Sequence, residues 1–368
     1  MPSPVPEPLR FQTPVDSHGG SLARGRDDVW REWDVLADRL AAPPFLRPGW
    51  FTAWHNAYGD GELRVLDARD GERLVGVMPV EHRGSATLSP TNTHTPMFGP
   101  VAESDAAEES LARQLLADSV GGRLELAYVD PGARWLASMT EILRRARRAE
   151  RRSVLNEIVT RPPYVAIDGD WERYLAARTR KFVKDLRRLR RRLAERGEVE
   201  VTMHSSAEGL DDALAEFVAL EASGWKERAG TAISSRDASR RFYADIARWA
   251  AERDWLRLAF LRLDGRAIAA ELDLECAGGL YALKSGFDPE YRAFGPGQML
   301  THDCLEWAFA EGLSSYEFLG TDEPYKMHWT DTTHSRARVR SFRRTVSGDL
   351  SALARHHARP LVRRLRRR

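Results

Sequence analysis

Residues 281–312 read YALKSGFDPEYRAFGPGQMLTHDCLEWAFAEG, a strand-like run joined to a helix-like run through Gly-Pro-Gly. The strand reading ends near Phe287, and the helix reading begins near Gly297 or Gln298. Leu300, Cys304, Trp307 and Ala308 form the helix's apolar stripe, and Gly312 is placed to end it. A helix N-terminus presents N–H groups and the positive end of a dipole, so it holds anions. Glycine lets a phosphate approach the backbone, and Arg292 adds a guanidinium fork. Arg292, Phe294, Gly295, Gly297 and Gln298 therefore read as an anion-holding turn. Pro296 has no N–H, which removes one donor from it. The competing reading is a plain helix start with a rigid turn.

Upstream, LRLAFLRLDGRAIAAELDLE (256–275) is strand, Asp-Gly turn, strand. LRVLDARDGERLVGVMPVE (63–81) has the same layout, and both follow a tryptophan-bearing helical run, RFYADIARWAAERDW and FTAWHNAYGD. This internal repeat predicts a tandem α/β chain with two mixed sheets flanked by helices. TRPPYVAI carries a Pro-Pro break between the copies. The expected organisation is a mobile tail (1–25), a first unit (26–165), a second unit (166–345) and a basic tail (346–368).

At 368 residues, two domains are expected, and 42% apolar residues suffice for cores. Net charge is only +2, but positive charge is clustered, and only five of the 56 basic residues are lysine. Cys276 and Cys304 are too few for a disulfide framework and lack metal-ligand spacing, so no metal is expected. The proline-rich start has no apolar core, and no 18-residue apolar run exists, so neither a signal peptide nor a membrane span is expected. A cytoplasmic chain fits. A helix is predicted over 171–196, with Phe182, Leu186, Leu189 and Leu193 inside. Arg180, Lys181, Lys184, Arg187, Arg188, Arg190, Arg191 and Arg192 cover its remainder, as a solvated face or as a phosphate-binding surface for RNA or a nucleotide-linked acceptor.

LEASGWKERAGTAI (220–233), RFYADIARWA, the Asp-Gly hairpin, GFDPEYRAFGPGQML and FLGTDEPYKMHW occur in that order. Together they resemble the cellulose-biosynthesis-type (CelD/BcsL-like) branch of GNAT acyltransferases, related to FemABX-like aminoacyl transferases. The resemblance covers residues 165–345 most strongly. It implies tandem GNAT domains with the working site in the second copy. It also implies that Arg-x-x-Gly-x-Gly cradles acyl-CoA by its pyrophosphate, and that Glu221 and Lys226 line an acceptor pocket. The first half lacks that loop, in keeping with a degenerate copy.

N-acyl transfer requires a base for the amine and donors for the oxyanion. The chain has no Gly-x-Ser-x-Gly elbow, so direct attack by the amine is expected over a covalent intermediate. Alternation places Ala267, Ala269, Glu271, Asp273 and Glu275 on one strand face. Glu271 reads either as a base facing a cleft or as part of a solvated face, with Asp288 and Asp322 as rivals. Lys326 reads as an oxyanion or acceptor contact, or as a surface ion pair. Trp225, Lys284, Tyr325 and Trp329 complete the expected acceptor-binding set. The expected reaction moves an acyl group from acyl-CoA to an amine on a small molecule or cell-envelope precursor. The alternatives are a FemABX-like transferase using aminoacyl-tRNA, and a non-catalytic GNAT-like binding module.

Overall fold

The computed structural model describes residues 26–119, 122–150, 152–223, 233 and 236–343. The expected tails 1–25 and 346–368, and also Trp225 and Lys226, lie outside the described residues. The first half runs α1 (Arg26–Arg39), α2 (Pro48–Tyr58), β1 (Glu62–Asp70), β2 (Arg73–Arg83), β3 (Ala86–Leu88), β4 (Val101–Ala102), α3 (Asp105–Asp118), β5 (Arg123–Val129), α4 (Arg134–Glu150) and β6 (Arg152–Thr160). The second runs β7 (Tyr164–Ala166), α5 (Trp171–Ala176), α6 (Arg180–Ala194), β8 (Val199–His204), α7 (Leu210–Ala222), α8 (Asp237–Ala251), β9 (Leu256–Leu263), β10 (Arg266–Cys276) and β11 (Gly279–Phe287). A 3-10 turn (Pro289–Phe294), α9 (Pro296–Ala310), β12 (Ser315–Glu317) and β13 (Arg336–Arg343) complete it.

Two mixed sheets result, in the orders β1-β2-β3-β5-β13-β6 and β7-β12-β11-β10-β9-β8. Each contains the same unit. Two antiparallel pairings (β1–β2, β2–β3; β9–β10, β10–β11) are followed by a helix and a parallel pairing (β3–β5; β11–β12). The repeated Asp-Gly dipeptides close the hairpins. At the second, Asp264 and Gly265 both take positive φ, 50° and 77°, as a tight primed turn requires.

The units exchange edges. β13 pairs antiparallel with β5 and β6, inside the first sheet, so the stretch read as the second unit (166–345) gives up its last strand. β7, at the expected boundary, pairs with β12 in the second sheet. The physical reason lies in β5, whose Leu124, Leu126 and Val129 are fully buried. Its outer edge needs a partner that brings apolar side chains, and Ala337 and Val339 of β13 join the same core. The helix expected over 171–196 is two helices, α5 and α6. Asp170 caps α5, accepting from the Arg173 N–H at 2.8 Å.

The cores also interlock. α2 places Trp50, Trp54 and, just before it, Phe45 in the second half's core, with Phe242 and Ile246 of α8. Trp50 meets the Phe242 ring edge-on at 5.3 Å. Trp50 is 0% exposed, so Trp50→Ala should cost about 3–5 kcal/mol. It should lower a single unfolding transition shared by both halves. Calorimetry showing two independent transitions, only one of them shifted, would contradict the interlocked core.

Candidate active site

β12 pairs with β11 only from Gly279↔Ser315 to Tyr281↔Glu317. Beyond that point the strands part, for two local reasons. On β11 the register against β10 slips, so that Leu272 opposes Lys284 while Asp273 opposes Ala282, and Leu283 is the extra residue of a bulge. On the other side, β12 stops at Glu317, and Leu319 and Gly320 bend the chain away with φ of 53° and 64°. Beyond Tyr281 no described strand pairs with the side of β11 turned from β10, and Tyr281 to Phe287 are all half-buried.

The 3-10 turn leads from this edge to Gly295, whose φ of 66° is left-handed and favours glycine. α9 starts at the next residue without a side-chain cap and without an acidic residue in its first turn. Gly297 offers the turn's first N–H, since Pro296 has none. A Cβ at Gly297 would meet only the Phe287 ring, at 3.6 Å, so the space above it is open. Arg292 is exposed beside it.

The matching helix of the first copy, α3, is built the opposite way. Ser104 caps it, accepting from the Ala107 N–H at 3.3 Å, and Asp105 and Glu108 occupy its first turn. Glu103 is ion-paired to Arg39 and to Arg73 (2.8 Å). Carboxylates thus stand at the end of α3 that would otherwise favour an anion.

On the opposite sheet face, the seam between halves holds a polar cluster. Gly286 lies against the α7 backbone, since a Cβ there would come within 2.5 Å of Glu221 Cα. Glu221 is buried and its Oε2 accepts from the Ile233 N–H at 2.8 Å. Lys284 Nζ sits 5.6 Å from the Tyr243 ring centroid. The Tyr243 hydroxyl is 2.9 Å from His94 Nδ1, and His94 stacks on Tyr58 at 5.3 Å. The Tyr58 hydroxyl donates to Ser239 at 3.2 Å. Burial, and then the Lys284 and Arg236 cations, push the His94 imidazole down to about 4, leaving it neutral at pH 7. Burial raises the Tyr243 phenol well above its ordinary value. Sequence reasoning missed His94, Tyr58, Ser239 and Tyr243. His94 belongs to a loop of the first half, and only the packing of α2 on α8 brings it beside β11.

The other expected residues are placed as follows. Glu271 does not face a cleft or solvent. It is 4% exposed between the sheet and α9, where the Tyr316 hydroxyl donates to Oε1 and Thr301 Oγ1 lies 3.4 Å from Oε2. The expected face of Ala269, Glu271 and Asp273 forms, but Ala267 leaves it at the bulge between Ala267 and Ala269, and α9 covers it, so it meets neither solvent nor a cleft. Asp288 caps the 3-10 turn at the Glu290 N–H (3.0 Å) and pairs with Arg266 at 2.6 Å. Lys326 is buried, its ammonium bonding Leu319 O (3.0 Å), Thr321 O (3.4 Å) and Glu323 (2.6 Å), so it organises the loop that bends away from β11. Trp329, expected to touch the acceptor, is instead core: it is 0% exposed and donates its indole N–H to Gln298 Oε1 at 2.9 Å. Gln298 thereby ties the start of α9 to that loop. Asp322 and Tyr325 are exposed on the loop.

Glu271, Asp273 and Cys304 bring ligand atoms within 4.8 Å of one another, a spacing a metal could use. The set does not favour one. Burial raises Glu271 to about 6 and Asp273 and Cys304 well above their ordinary values, whereas a metal needs the anions. Away from the sheet, α5 and α6 flank a groove of about 900 Å³ lined by Arg178, Arg180, Lys184, Arg187, Arg190 and Arg191. Among the described residues no helix is long and apolar enough to cross a membrane.

Residues 180–327 match the family model described as an acetyltransferase (GNAT) domain. That stretch of the second half is therefore similar to a GNAT acetyltransferase domain, which supports a transferase. No curated protein matches the chain. Among solved structures it is similar to FemX, at 13% identity and a TM-score of 0.56, covering 84% of this chain and 95% of that one. A conserved protein of unknown function from Bacteroides thetaiotaomicron gives 15% identity and a TM-score of 0.55 over 86% and 96% of the two chains. L-PGS from Bacillus licheniformis gives 12% and 0.51 over 88% and 98%. At these identities the likeness is one of fold.

The buried carboxyl pair makes a stability prediction. Glu271 and Asp273 have folded pKa values above their unfolded ones, so the folded chain keeps protons that the unfolded chain releases. Stability is therefore lost as pH rises from the ordinary carboxylate range through about 6. Glu271→Gln removes part of that loss, so its melting temperature should gain on the wild type between about pH 5 and about pH 8. A variant that falls further behind as pH rises would contradict the assignment. Turnover should stay well short of the ~10²-fold drop that removing a general base brings.

Proposed function

We propose that the chain is an acyl-CoA-dependent N-acyltransferase whose amine acceptor enters from the seam between the two halves. One observation carries the donor assignment: the parting of β11 from β12, which leads to a left-handed Gly295 and an acid-free helix start. In this reading the donor's pyrophosphate rests on the Gly297 N–H and Arg292, and its pantetheine arm runs along the side of β11 that β12 leaves. The thioester then lies near the Leu283 bulge, where backbone N–H groups stabilise the oxyanion. The amine loses a proton, attacks the thioester carbon, and the C–S bond breaks to release the thiolate.

His94 fits the proton acceptor: it is neutral at pH 7, and Tyr243 holds its ring through Nδ1. An acceptor that carries a carboxylate or phosphate besides its amine would meet Lys284 and Arg236, the two cations that lower the proton affinity of His94. Such an anion offsets the two cations and raises the proton affinity of His94. A small molecule or a cell-envelope precursor meets that description. In this reading Asp322 and Tyr325 border the donor's path, and Glu221 backs the acceptor pocket.

Gly297→Val should weaken coenzyme A binding at least ~10-fold by calorimetry, with little change in melting temperature because the added Cβ makes only an ordinary contact, 3.6 Å from the Phe287 ring. Unchanged affinity would remove the donor site. His94→Gln should lower turnover by about 10²-fold while donor affinity holds, and near-normal turnover would remove His94 from the mechanism.

A second reading, transfer from aminoacyl-tRNA, is favoured by the arginine-rich groove between α5 and α6. It requires tRNA binding that weakens steeply as salt rises, and a shallow salt dependence would set it aside.

A further inference from the structure

The C-terminal end of α6 lies against the proposed phosphate turn. Leu189 sits 3.5 Å from where a Cβ of Gly295 would be. Arg192 and Arg196, one helical turn apart, hold their guanidinium carbons 5.6 and 5.9 Å from the centroid of the Phe294 ring, the residue just before Gly295. Both arginines are exposed, and among the described residues neither is in an ion pair. Of the other α6 arginines, Arg188 pairs with Asp185 at 3.2 Å and Arg190 with Asp303 at 2.5 Å, while Arg187 and Arg191 line the groove shared with α5. Two uncompensated forks therefore stand over one ring at the lip of the turn, on the α6 face away from the groove shared with α5.

Resting on the acyl-CoA reading, we infer that Arg192 and Arg196 form a second anion site that takes a ribose 3′-phosphate, the group that distinguishes coenzyme A from its dephosphorylated form. The chemistry sets the reach. The 3′-phosphate hangs from the same ribose as the pyrophosphate, so a pyrophosphate on Gly297 brings it within one nucleoside of the turn. A phosphate monoester offers a guanidinium pair three acceptor oxygens, and Arg forks match them with paired N–H bonds. Phe294 fixes the forks in place through its ring face, so Arg292, Phe294, Arg192 and Arg196 act together as the donor's polar end.

The test measures coenzyme A and 3′-dephospho-coenzyme A binding to the full chain by calorimetry, for the wild type and for Arg192→Ala/Arg196→Ala. The wild type should bind coenzyme A about tenfold or more tighter than the dephosphorylated form. The double variant should lose that preference while keeping its affinity for dephospho-coenzyme A. Tight but equal binding of both by the wild type would overturn this inference and leave the donor reading standing, and so would a preference that survives in the double variant. Failure of the wild type to bind either would overturn both. An Arg192→Lys/Arg196→Lys variant should keep part of the preference, because charge remains while the paired N–H geometry is lost.

Discussion

The second half of the molecule is organised by two neighbouring strands that pair for only three residues and then part. The pairing stops because β12 ends at Glu317 while β11 runs on to Phe287. Here the Leu283 bulge turns β11 one way and the positive φ angles at Leu319 and Gly320 turn the chain after β12 the other. The buried Lys326 ammonium stabilises that second turn by bonding carbonyls on both sides of it. Beyond Tyr281 no described strand pairs with that side of β11, which an extended ligand can line as a missing strand would. The left-handed Gly295 then aims the start of α9 at the end of that edge.

Duplication supplied this framework twice, and electrostatics separates the copies. α3 and α9 occupy the same topological place, yet one begins with a capping serine and two acids and the other with Gly-Pro-Gly beside arginine. The first half is also woven into the second. It lends α2 to the core of its partner, receives β13 in return, and extends the His94 loop over the face of β11. A site at such a seam depends on both halves being folded together.

The sequence made the repeat legible because Asp-Gly turns and alternating apolar runs are local signals, and the turn at Gly295 that starts α9 was legible because glycine spacing is local too. What escaped was everything set by distance. β13 reads as part of the second unit in the chain, but the uncovered edge of β5 decides where it goes. Glu271 reads as a base facing a cleft or as part of a solvated face because alternation in one strand says nothing of the helix that covers it. Trp329 and Lys326 follow a strand end, where ligand contacts are common, but one fills the core and the other ties a loop. His94 lies 149 residues from Tyr243, and no periodicity in either segment records their meeting.

Amide hydrogen exchange with and without acetyl-CoA addresses the central claim most directly, because it reads the backbone itself. The account predicts that the donor slows exchange at the amides of 283–287 and 297–299, where the parted strand and the start of α9 receive it, and leaves the start of α3 unchanged. Protection at α3 instead, or none on β11 and α9 at saturating donor, would contradict it.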